Sequence, residues 1–412
     1  MKRALVLASV ASMIDQFNMP NIRLMKEMGY EVDVATNFLK GSTCSDEKIA
    51  ALKKSLKEMN VRCFQIDFSR NVLNIGENIK AYKQAKKIID ENNYALIHSH
   101  SPIGGFLSRI AARNARKNGT KMVYTAHGFH FFKGAPLINW LIFYPIEKLC
   151  SCWTDVLVTI THEDYQLAQK KMYAKEVVYV PGVGINAAVF APKEDDNVIN
   201  ASKRKELGLA MTDIVMLSVG ELNKNKNHEI VLRAMAQLGR SDLHYVIAGR
   251  GILKEHLEQL AKELGVSNQL HLLGFRTDVK DLFKMADFFA HPSFREGLSV
   301  AVMEAMANGL PVICTEIRGN TDLIEDNKGG CLFKPAVQAA SRANPEHLSD
   351  RPLQHPALHL RVWLLHHPPR GALLPRRSHR PPPAFGLLPT QGNYHRGRRK
   401  SPIKAYNPHI IT

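Results

Sequence analysis

The chain has 412 residues, of which 45% are hydrophobic and 23% charged; this is the composition of a folded protein with room for two or three domains. Its formal charge of +17 would indicate a nucleic-acid ligand if the charge were spread evenly. Residues 1–185 carry a net +9, residues 186–335 a net −2 and residues 336–412 a net +10. More than half of the excess lies in a short C-terminal stretch, so we expect no nucleic-acid partner.

The chain opens with MKRALVLASVASM, two basic residues followed by an apolar run. Such a run is typical of a signal peptide or of a buried parallel strand. The next segment, PNIRLMKEMGYEVDVAT, predicts a helix with Pro20 near its start and Gly29 at its end, followed by a further strand. This order favours the strand.

Cysteine usage and hydropathy indicate the compartment. The six cysteines form no CxxC pair and no dense framework, which favours reduced thiols in the cytoplasm. The longest apolar run, APLINWLIFYP at 135–145, is too short to span a bilayer but long enough to lie on one. We expect a cytoplasmic protein whose basic first domain contacts the anionic inner face of the cell membrane peripherally, through the aromatic stretch 129–144.

Strands and helices alternate along most of the chain. Predicted strands include ALVLASV, EVDVAT, ALIHSH and KMVYTAH in the first half, and DIVMLSVG, HYVIAG, FFAHPS and PVICTE in the second. The pattern stops at a connection marked by Gly and Pro, residues 181–197, and then restarts. Alternating βα order predicts parallel sheets covered by helices. The predicted fold class is α/β, with two Rossmann-like domains (1–185 and 197–335) facing each other across a cleft at their strands' carboxyl ends.

From about residue 336 this alternation ends. Residues 336–412 hold 12 of the 21 prolines and 8 of the 18 histidines, a composition that builds no packed core. A nucleic-acid- or membrane-binding arm and an extension without function are two interpretations. The abrupt Arg/Pro/His/Leu enrichment favours a third, a change of reading frame, so we predict a disordered or aberrant tail without a role in chemistry.

One segment of the second domain brings two carboxylates together with a helix start. In REGLSVAVMEAMANGLPVI, Glu296 lies in a loop and Glu304 eight residues later in a helix. Gly297 lets the backbone approach a ligand, and the amides of Gly297, Leu298 and Ser299 at the helix N-terminus suit a phosphate. Carboxylates at such positions suit hydrogen bonds from vicinal hydroxyls on a sugar or ribose. The alternative is a solvated or salt-bridged Glu304.

This segment, read as PSFREGLSVAVMEAMANGLPVI, resembles the E-x7-E signature of glycosyltransferase family 4, the retaining transferases of the GT-B fold. The resemblance covers roughly residues 1–335. It implies that Glu296 contacts the donor sugar and Glu304 the ribose of the nucleotide.

A second match is SVGELNKNKNHEIVLRAM. The family has an arginine followed five residues later by a lysine, and both bind the donor diphosphate. Lys226 fits the lysine, but Glu221 stands where the arginine is usual. The resemblance therefore implies that the diphosphate leaving group is stabilised by Lys226, by the helix amides and by Lys224 or Arg250. GELNKNKNHE is similar to the variant in transferases of bacterial exopolysaccharide and capsule synthesis; the alternative for Lys226 is a solvated surface lysine.

In the first half, LIHSHSPIGGFLSRIAAR and YTAHGFHFFKGAPLINWLIFYPIEK resemble the N-terminal domain of the same transferases. His127 matches the position that contacts the donor sugar or diphosphate. His98, His100 and His130 are predicted at strand ends facing the cleft, with structural hydrogen bonding as the alternative. Histidines at strand ends would also suit a metal-dependent hydrolase, but no carboxylate ligands are evident.

The resemblance implies an enzyme that moves a hexose or N-acetylhexosamine from a UDP-sugar to a lipid-linked glycan, with retention, in exopolysaccharide, capsule or cell-envelope polysaccharide synthesis. It implies no cofactor and no divalent metal. The alternatives are a UDP-sugar epimerase of the same fold and the metal-dependent hydrolase. The predicted residues are Glu296, His127 and Lys226 for catalysis and Glu304, Gly297, Leu298, Ser299 and Arg250 for donor binding.

Overall fold

The structure is a computed structural model, and it describes residues 1–42, 44–69, 71 and 74–335. The chain divides into two compact units. The first comprises Met1–Val183 with two short later segments, Glu296–Ser299 and Arg318–Asp322. The second comprises Gly184–Arg295, Val300–Ile317 and, in the described chain, residues 323–335. The tail predicted from residue 336 lies outside the described residues.

A parallel seven-stranded sheet forms the centre of the first unit. Its strands are β1 (Lys2–Leu7), β2 (Tyr30–Thr36), β3 (Arg62–Gln65), β4 (Leu96–His100), β5 (Lys121–Ala126), β6 (Val156–Thr159) and β7 (Glu176–Tyr179). They lie in the order β3-β2-β1-β4-β5-β6-β7, so the winding direction reverses between β1 and β4. Ligands of open parallel sheets bind outside the carboxyl ends of the strands at such a reversal.

Eight helices of the described chain cover this sheet: α1 (Ala11–Phe17), α2 (Met19–Glu27), α3 (Asp46–Glu58), α4 (Ile75–Asn92), α5 (Pro102–Ala111), α6 (Arg113–Lys117), α7 (Leu137–Ser151) and α8 (His162–Lys171). Adjacent residues of β1 belong to different apolar clusters, Leu5 to one and Val6 to the other. Successive side chains of a strand point to opposite faces, so both faces of the sheet are buried.

The second unit repeats this design with a parallel six-stranded sheet. Its strands are β8 (Ile214–Val219), β9 (Leu243–Ala248), β10 (Leu270–Gly274), β11 (Phe288–His291), β12 (Val312–Thr315) and β13 (Gly330–Phe333). Their order is β10-β9-β8-β11-β12-β13, with the reversal between β8 and β11. Phe288 and Phe289 pack into different apolar clusters, as required when helices cover both faces.

The helices of the second unit connect these strands: α9 (Ala187–Phe190), α10 (Asp196–Glu206), α11 (Glu229–Leu238), α12 (Lys254–Glu263), α13 (Val279–Met285) and α14 (Val300–Ala307). The short α15 (Asn320–Leu323) begins in a segment grouped with the first unit. Single turns of 3-10 helix lie at Lys224–Lys226 and Ser267–Gln269.

The fold class predicted from alternation is confirmed, since both units are helix-covered parallel sheets. The predicted strand ALVLASV is confirmed as β1, but it ends earlier than predicted, at Leu7, and α1 follows from Ala11. The helical segment after β4 divides at Ala112 into α5 and α6. Small apolar residues are compatible with either structure, and packing decides between them.

The apolar run at 135–145 forms the greater part of α7, which continues to Ser151 with Pro145 inside it. No helix in the described part of the chain combines the length and the apolar character that a membrane span requires.

A buried ion pair joins three elements of the second unit. Arg204 of α10 is 3% exposed, and its guanidinium donates to the Asp287 carboxylate at 2.9 Å. The same guanidinium donates to the carbonyl oxygens of Asp213 and Met285. The Asp287 carboxylate also accepts the Val215 amide of β8 at 2.7 Å. Removal of one partner would leave the other charge buried and unpaired.

We predict that Arg204→Ala destabilises the second unit by about 3–5 kcal/mol, because Asp287 stays buried without its counter-ion. The expected result is a fall of about 10 °C in the melting temperature measured by circular dichroism. Arg240→Ala is the matched control: its partner Asp242 is at 2.5 Å, but both side chains are more than 40% exposed. An exposed pair contributes about 0–1 kcal/mol, so equal losses in the two variants would contradict the prediction.

Candidate active site

Lys226 lies at the carboxyl end of β8, on the single turn Lys224–Lys226. The side chain of Asn223 caps this turn by accepting the Lys226 amide at 3.1 Å. The Lys226 side chain lies over Gly220, since a Cβ at Gly220 would be 3.1 Å from Lys226 Cε. Backbone and side chain together hold this half-buried cation at the strand end.

The loops after β8 and β9 touch backbone to backbone. A Cβ at Gly249 would lie 1.7 Å from the Gly220 oxygen, and one at Gly251 would lie 2.2 Å from the Leu222 oxygen. Only glycine permits this approach. The two glycines therefore fix the loop that carries Lys226 beside the loop that carries Arg250.

A buried chain of hydrogen bonds supports the loop after β8. His228 Nδ1 pairs with the Tyr245 hydroxyl at 2.8 Å, and that hydroxyl pairs with Ser218 Oγ at 2.8 Å. Ser218 in turn donates to the Ala290 carbonyl. Burial lowers the pKa of His228 to about 4, so the ring is neutral at pH 7. The chain joins β8, β9 and β11 directly beneath the Lys226 loop.

Glu221, which stands where the motif usually has an arginine, carries an exposed carboxylate. Glu221 accepts a hydrogen bond from Asn223 Nδ2 at 2.9 Å. Arg250 is exposed, and its guanidinium carbon lies 5.8 Å from the centre of the Phe275 ring. The structure thus brings two predicted donor-binding cations, Lys226 and Arg250, to neighbouring strand ends.

Glu304 is a half-buried ionisable residue of α14. Burial raises the pKa of its carboxyl to about 7. Among the residues that the structure describes, none forms a hydrogen bond or an ion pair with this carboxyl; only its backbone carbonyl is used, by Asn308. A half-buried carboxyl without partners is a costly group to maintain and an available acceptor for hydroxyl donors.

The segment Glu296–Ser299 belongs to the first unit and lies against its backbone. A Cβ at Gly297 would be 2.4 Å from the His127 carbonyl oxygen. A Cβ at Gly319, whose φ is +83°, would be 1.6 Å from the Gly297 oxygen. The predicted need for glycine at position 297 is therefore real, but its immediate cause is protein backbone. Leu298 and Ser299 are buried just before α14 begins.

An ion pair that the sequence analysis missed holds this segment. Arg318 Nη1 donates to the Asp164 carboxylate at 2.6 Å, Nη2 to the Phe129 carbonyl at 2.7 Å and Nε to the Glu296 carbonyl at 3.2 Å. Asp164 lies in the first turn of α8, where Thr161 Oγ1 accepts the Asp164 amide at 3.4 Å. The Asp164 carboxylate accepts from the Phe129 amide and from Arg318. The sequence signal that could have indicated this ion pair is Arg318 followed by Gly319, shortly after β12.

Burial raises the pKa of Asp164 to about 6, although Arg318 and the Phe129 amide favour its ionised form. The desolvation of the Asp164 carboxyl therefore raises its pKa by more than Arg318 and the Phe129 amide lower it. Its role is positional: it ties the chain at Glu296 and Phe129 to α8.

Three histidines lie together at the ends of β4 and β5. His100 Nδ1 and His127 Nε2 are 3.1 Å apart, and His98 Nε2 pairs with Thr125 Oγ1 at 2.8 Å. Burial lowers the pKa of His127 to about 4 and that of His98 to about 3, so neutral rings hydrogen-bond here at pH 7. The ring of Phe17 lies 5.9 Å from that of His127.

The other predicted histidines have structural surroundings. His98 and His100 are each 2% exposed, so they do not line an open surface, and for His98 the structural alternative holds. His130 packs its ring 4.8 Å from that of Phe143. The described residues contain no group of three or more His, Cys, Asp or Glu side chains that could hold a metal ion, so the hydrolase alternative has no ligand set among them.

Two family models and a relative that covers 85% of the chain place this protein among known families. Residues 22–187 match the glycosyltransferase family 4 profile, and residues 200–357 match that of the glycosyl transferases group 1. The putative glycosyltransferase EpsD of Bacillus subtilis is 36% identical over 354 residues, 85% of this chain and 88% of EpsD. The Escherichia coli UDP-Gal:alpha-D-GlcNAc-diphosphoundecaprenol alpha-1,3-galactosyltransferase is 29% identical over 282 residues, 67% of this chain and 71% of its own.

The fold has close counterparts among solved structures. Anabaena Alr3699/HepE, crystallised with UDP and glucose, superposes with a TM-score of 0.63 at 20% identity, covering 82% of this chain and 86% of its own. At this identity the likeness shows the fold alone. The GT-B type of organisation, with two parallel-sheet α/β units, is confirmed.

We predict that the buried histidines make the fold sensitive to acid. A histidine whose folded pKa is below its unfolded value of about 6.5 contributes stability that is present above pH 6.5 and is lost as the pH falls towards the folded pKa. For His98, with a folded pKa of about 3, the loss at pH 5 is about 2 kcal/mol.

The test compares melting temperatures between pH 7.5 and pH 5 for the wild type and His98→Gln, whose amide keeps a partner for Thr125. The variant should lose less stability over this interval. His256→Gln, at a 51% exposed side chain, is the control and should keep the wild-type slope. An unchanged slope in His98→Gln would disprove the prediction.

Proposed function

Since the chain belongs to the family 4 and group 1 glycosyltransferases, we propose that it transfers a hexose or N-acetylhexosamine from a UDP-sugar to a lipid-linked glycan, with retention and without a divalent metal. The E. coli relative is named for a UDP-sugar donor and a diphosphoundecaprenol acceptor. HepE was crystallised with UDP. Both proteins support the proposal, which goes beyond family membership because it assigns a donor and an acceptor to this chain.

The observation that carries the proposal is Glu304. A carboxyl with a pKa of about 7, half-buried on α14 and without a partner among the described residues, suits the two adjacent hydroxyls of a ribose. Hydroxyls that donate to the carboxylate favour its ionised form and offset the desolvation that raises its pKa. Alternative structural roles for a glutamate, an ion pair or a solvated surface position, do not describe this side chain.

Lys226 is proposed to bind the diphosphate. Its ammonium is positioned before the ligand arrives, by the Asn223 cap and by contact with Gly220. A fixed cation stabilises the charge that develops on the leaving diphosphate. Because Glu221 replaces the usual arginine, Lys226 and the exposed Arg250 carry this task, assisted by the amides of Gly297, Leu298 and Ser299.

Glu296 and His127 are proposed to contact the sugar. His127 is neutral at pH 7 and paired with His100, so it offers a hydrogen bond rather than a positive charge. In the reaction the bond between the anomeric carbon and the diphosphate oxygen breaks, and a bond from the acceptor oxygen forms on the same face. The acceptor proton passes to the leaving diphosphate, so the step needs no covalent nucleophile from the protein.

The epimerase alternative would turn over the nucleotide sugar without an acceptor. An assay with UDP-sugar alone and with a lipid-linked acceptor distinguishes the two activities. The anomeric configuration of the product, read by nuclear magnetic resonance, tests retention directly.

We predict that UDP stabilises the protein in the presence of EDTA and that Lys226→Ala weakens UDP binding and lowers turnover by roughly 10²- to 10³-fold, because a preorganised charge is lost. Isothermal titration and a transfer assay measure the two effects. Lys262→Ala removes an exposed lysine from α12 and should leave both unchanged. Activity that survives Lys226→Ala but disappears in EDTA would refute the proposal.

We predict that UDP affinity depends on the ionisation of Glu304. The free carboxyl has a pKa of about 7, and only its ionised form accepts both hydroxyls, so affinity should rise about tenfold between pH 6 and pH 8. UDP itself titrates near this range, so the informative quantity is the ratio of Kd for Glu304→Gln to Kd for the wild type. That ratio should rise with pH; a constant ratio would show that Glu304 does not contact the nucleotide.

A further inference from the structure

A cavity of about 610 Å³ lies in the first unit, between α4, α5, α7 and the segment after β5. Side chains such as Ile79, Phe106, Ile110, Phe143 and Ile146 line it. Its volume falls within the range of pockets that enclose small organic ligands. None of the predicted donor-site residues contributes to it, so it is a separate feature of the molecule.

The side chains that line the cavity are mostly apolar and are compatible with an apolar ligand. Among the described residues that line it, Glu147 is the one acidic residue, and both of its carboxylate oxygens accept from the Arg109 guanidinium, at 2.6 and 3.0 Å. Arg109 is fully buried and stacks over the Tyr124 ring at 4.0 Å. The charge beside the cavity is therefore neutralised within the protein, and the remaining surface suits hydrocarbon.

The cavity opens among exposed apolar side chains. Ile79 is 50% exposed and Ile142 is 45% exposed, and both line the cavity. On α7 the exposed apolar residues continue away from it, with Leu137 81% and Leu141 73% exposed. Large apolar side chains grouped at a helical spacing on a surface mark an interaction site.

The exposed face of α7 fits a lipid surface rather than a protein. At 15 residues the helix is about 22 Å long, which suits a helix lying in the interface plane. Its acidic residue, Glu147, is buried against Arg109, while Lys148 and the net +9 of residues 1–185 favour an anionic membrane. A protein partner would need a complementary surface of about 800 Å², whereas the apolar area here leads into a concave cavity.

We propose that this cavity binds the hydrocarbon chain of the lipid-linked acceptor, drawn from a membrane on which the exposed face of α7 rests. The inference rests on the proposed function and names the part of the acceptor that this chain holds. At about 30 Å³ for each carbon group, the cavity of about 610 Å³ accommodates about 20 carbon atoms, which is about four isoprene units. Holding the chain here would keep the lipid carrier at the first unit while the attached glycan remains free to react.

The test measures farnesyl phosphate binding by displacement of the fluorescent fatty acid cis-parinaric acid. The wild type should bind farnesyl phosphate, and inorganic phosphate should not compete. Ile110→Trp fills the cavity and Ile79→Glu places a charge at its opening, so each should raise the Kd by at least tenfold. Val198→Glu, at a 72% exposed position on α10, is the matched control and should bind as the wild type does.

UDP titration of every variant separates failure of this inference from failure of the proposed function. UDP binding that persists while farnesyl phosphate fails to bind the wild type overturns the inference alone. Absence of UDP binding to the wild type counts against the proposed function. Retained UDP binding in Ile110→Trp also shows that the variant is folded.

Membrane contact is tested separately with phosphatidylglycerol vesicles. Leu141→Glu should reduce co-sedimentation severalfold and leave the Kd for farnesyl phosphate unchanged, whereas Val198→Glu should change neither. Stronger competition by palmitoyl lysophosphatidylglycerol than by farnesyl phosphate would assign the cavity to bulk lipid and overturn the acceptor assignment. Dimerisation in sedimentation that Leu141→Glu abolishes would assign the face to a second copy of the chain.

Discussion

Burial of both faces of a parallel sheet is the constraint on which both units depend. Each strand has helices on either side, so most of its side chains are apolar in both directions. The candidate polar side chains follow the carboxyl ends of strands, where β8 leads into the Lys226 loop and β5 into His127. The winding reversals at β1/β4 and β8/β11 leave space at those ends. The location of the candidate residues follows from the sheets before any particular ligand is considered.

The polar groups that do enter the interior are nearly all paired, and their partners explain the rigidity of the candidate residues. His228, Tyr245 and Ser218 form one continuous chain beneath the Lys226 loop. Asp164 and Arg318 hold the segment that begins at Glu296. Such networks are expensive to leave incomplete, so they specify one arrangement of the loops above them. Among the described residues, the Glu304 carboxyl takes part in none of these networks, which is why it carries the proposed contact with the nucleotide.

The first unit combines two kinds of surface with different physical demands. At the carboxyl ends of β4 and β5, neutral histidines meet in a polar cluster whose charge is suppressed by burial. Between α4, α5 and α7 an apolar cavity opens among exposed isoleucines and leucines. The Arg109–Glu147 ion pair neutralises the charge that lies beside the apolar cavity.

The alternation of apolar strands with amphipathic helices determined the fold class, because it depends on local periodicity. Motif spacing and resemblance selected Glu296, Glu304 and Lys226 as candidate residues. Tertiary structure decided the rest. The break between β1 and α1 depends on packing, since small apolar residues suit either structure. The bond from Arg318 to Asp164 joins residues 154 positions apart, and no local pattern encodes such a pair. The pKa of Glu304 and the cavity beside α7 likewise exist only once distant segments have excluded water from one carboxyl and left a space between three helices.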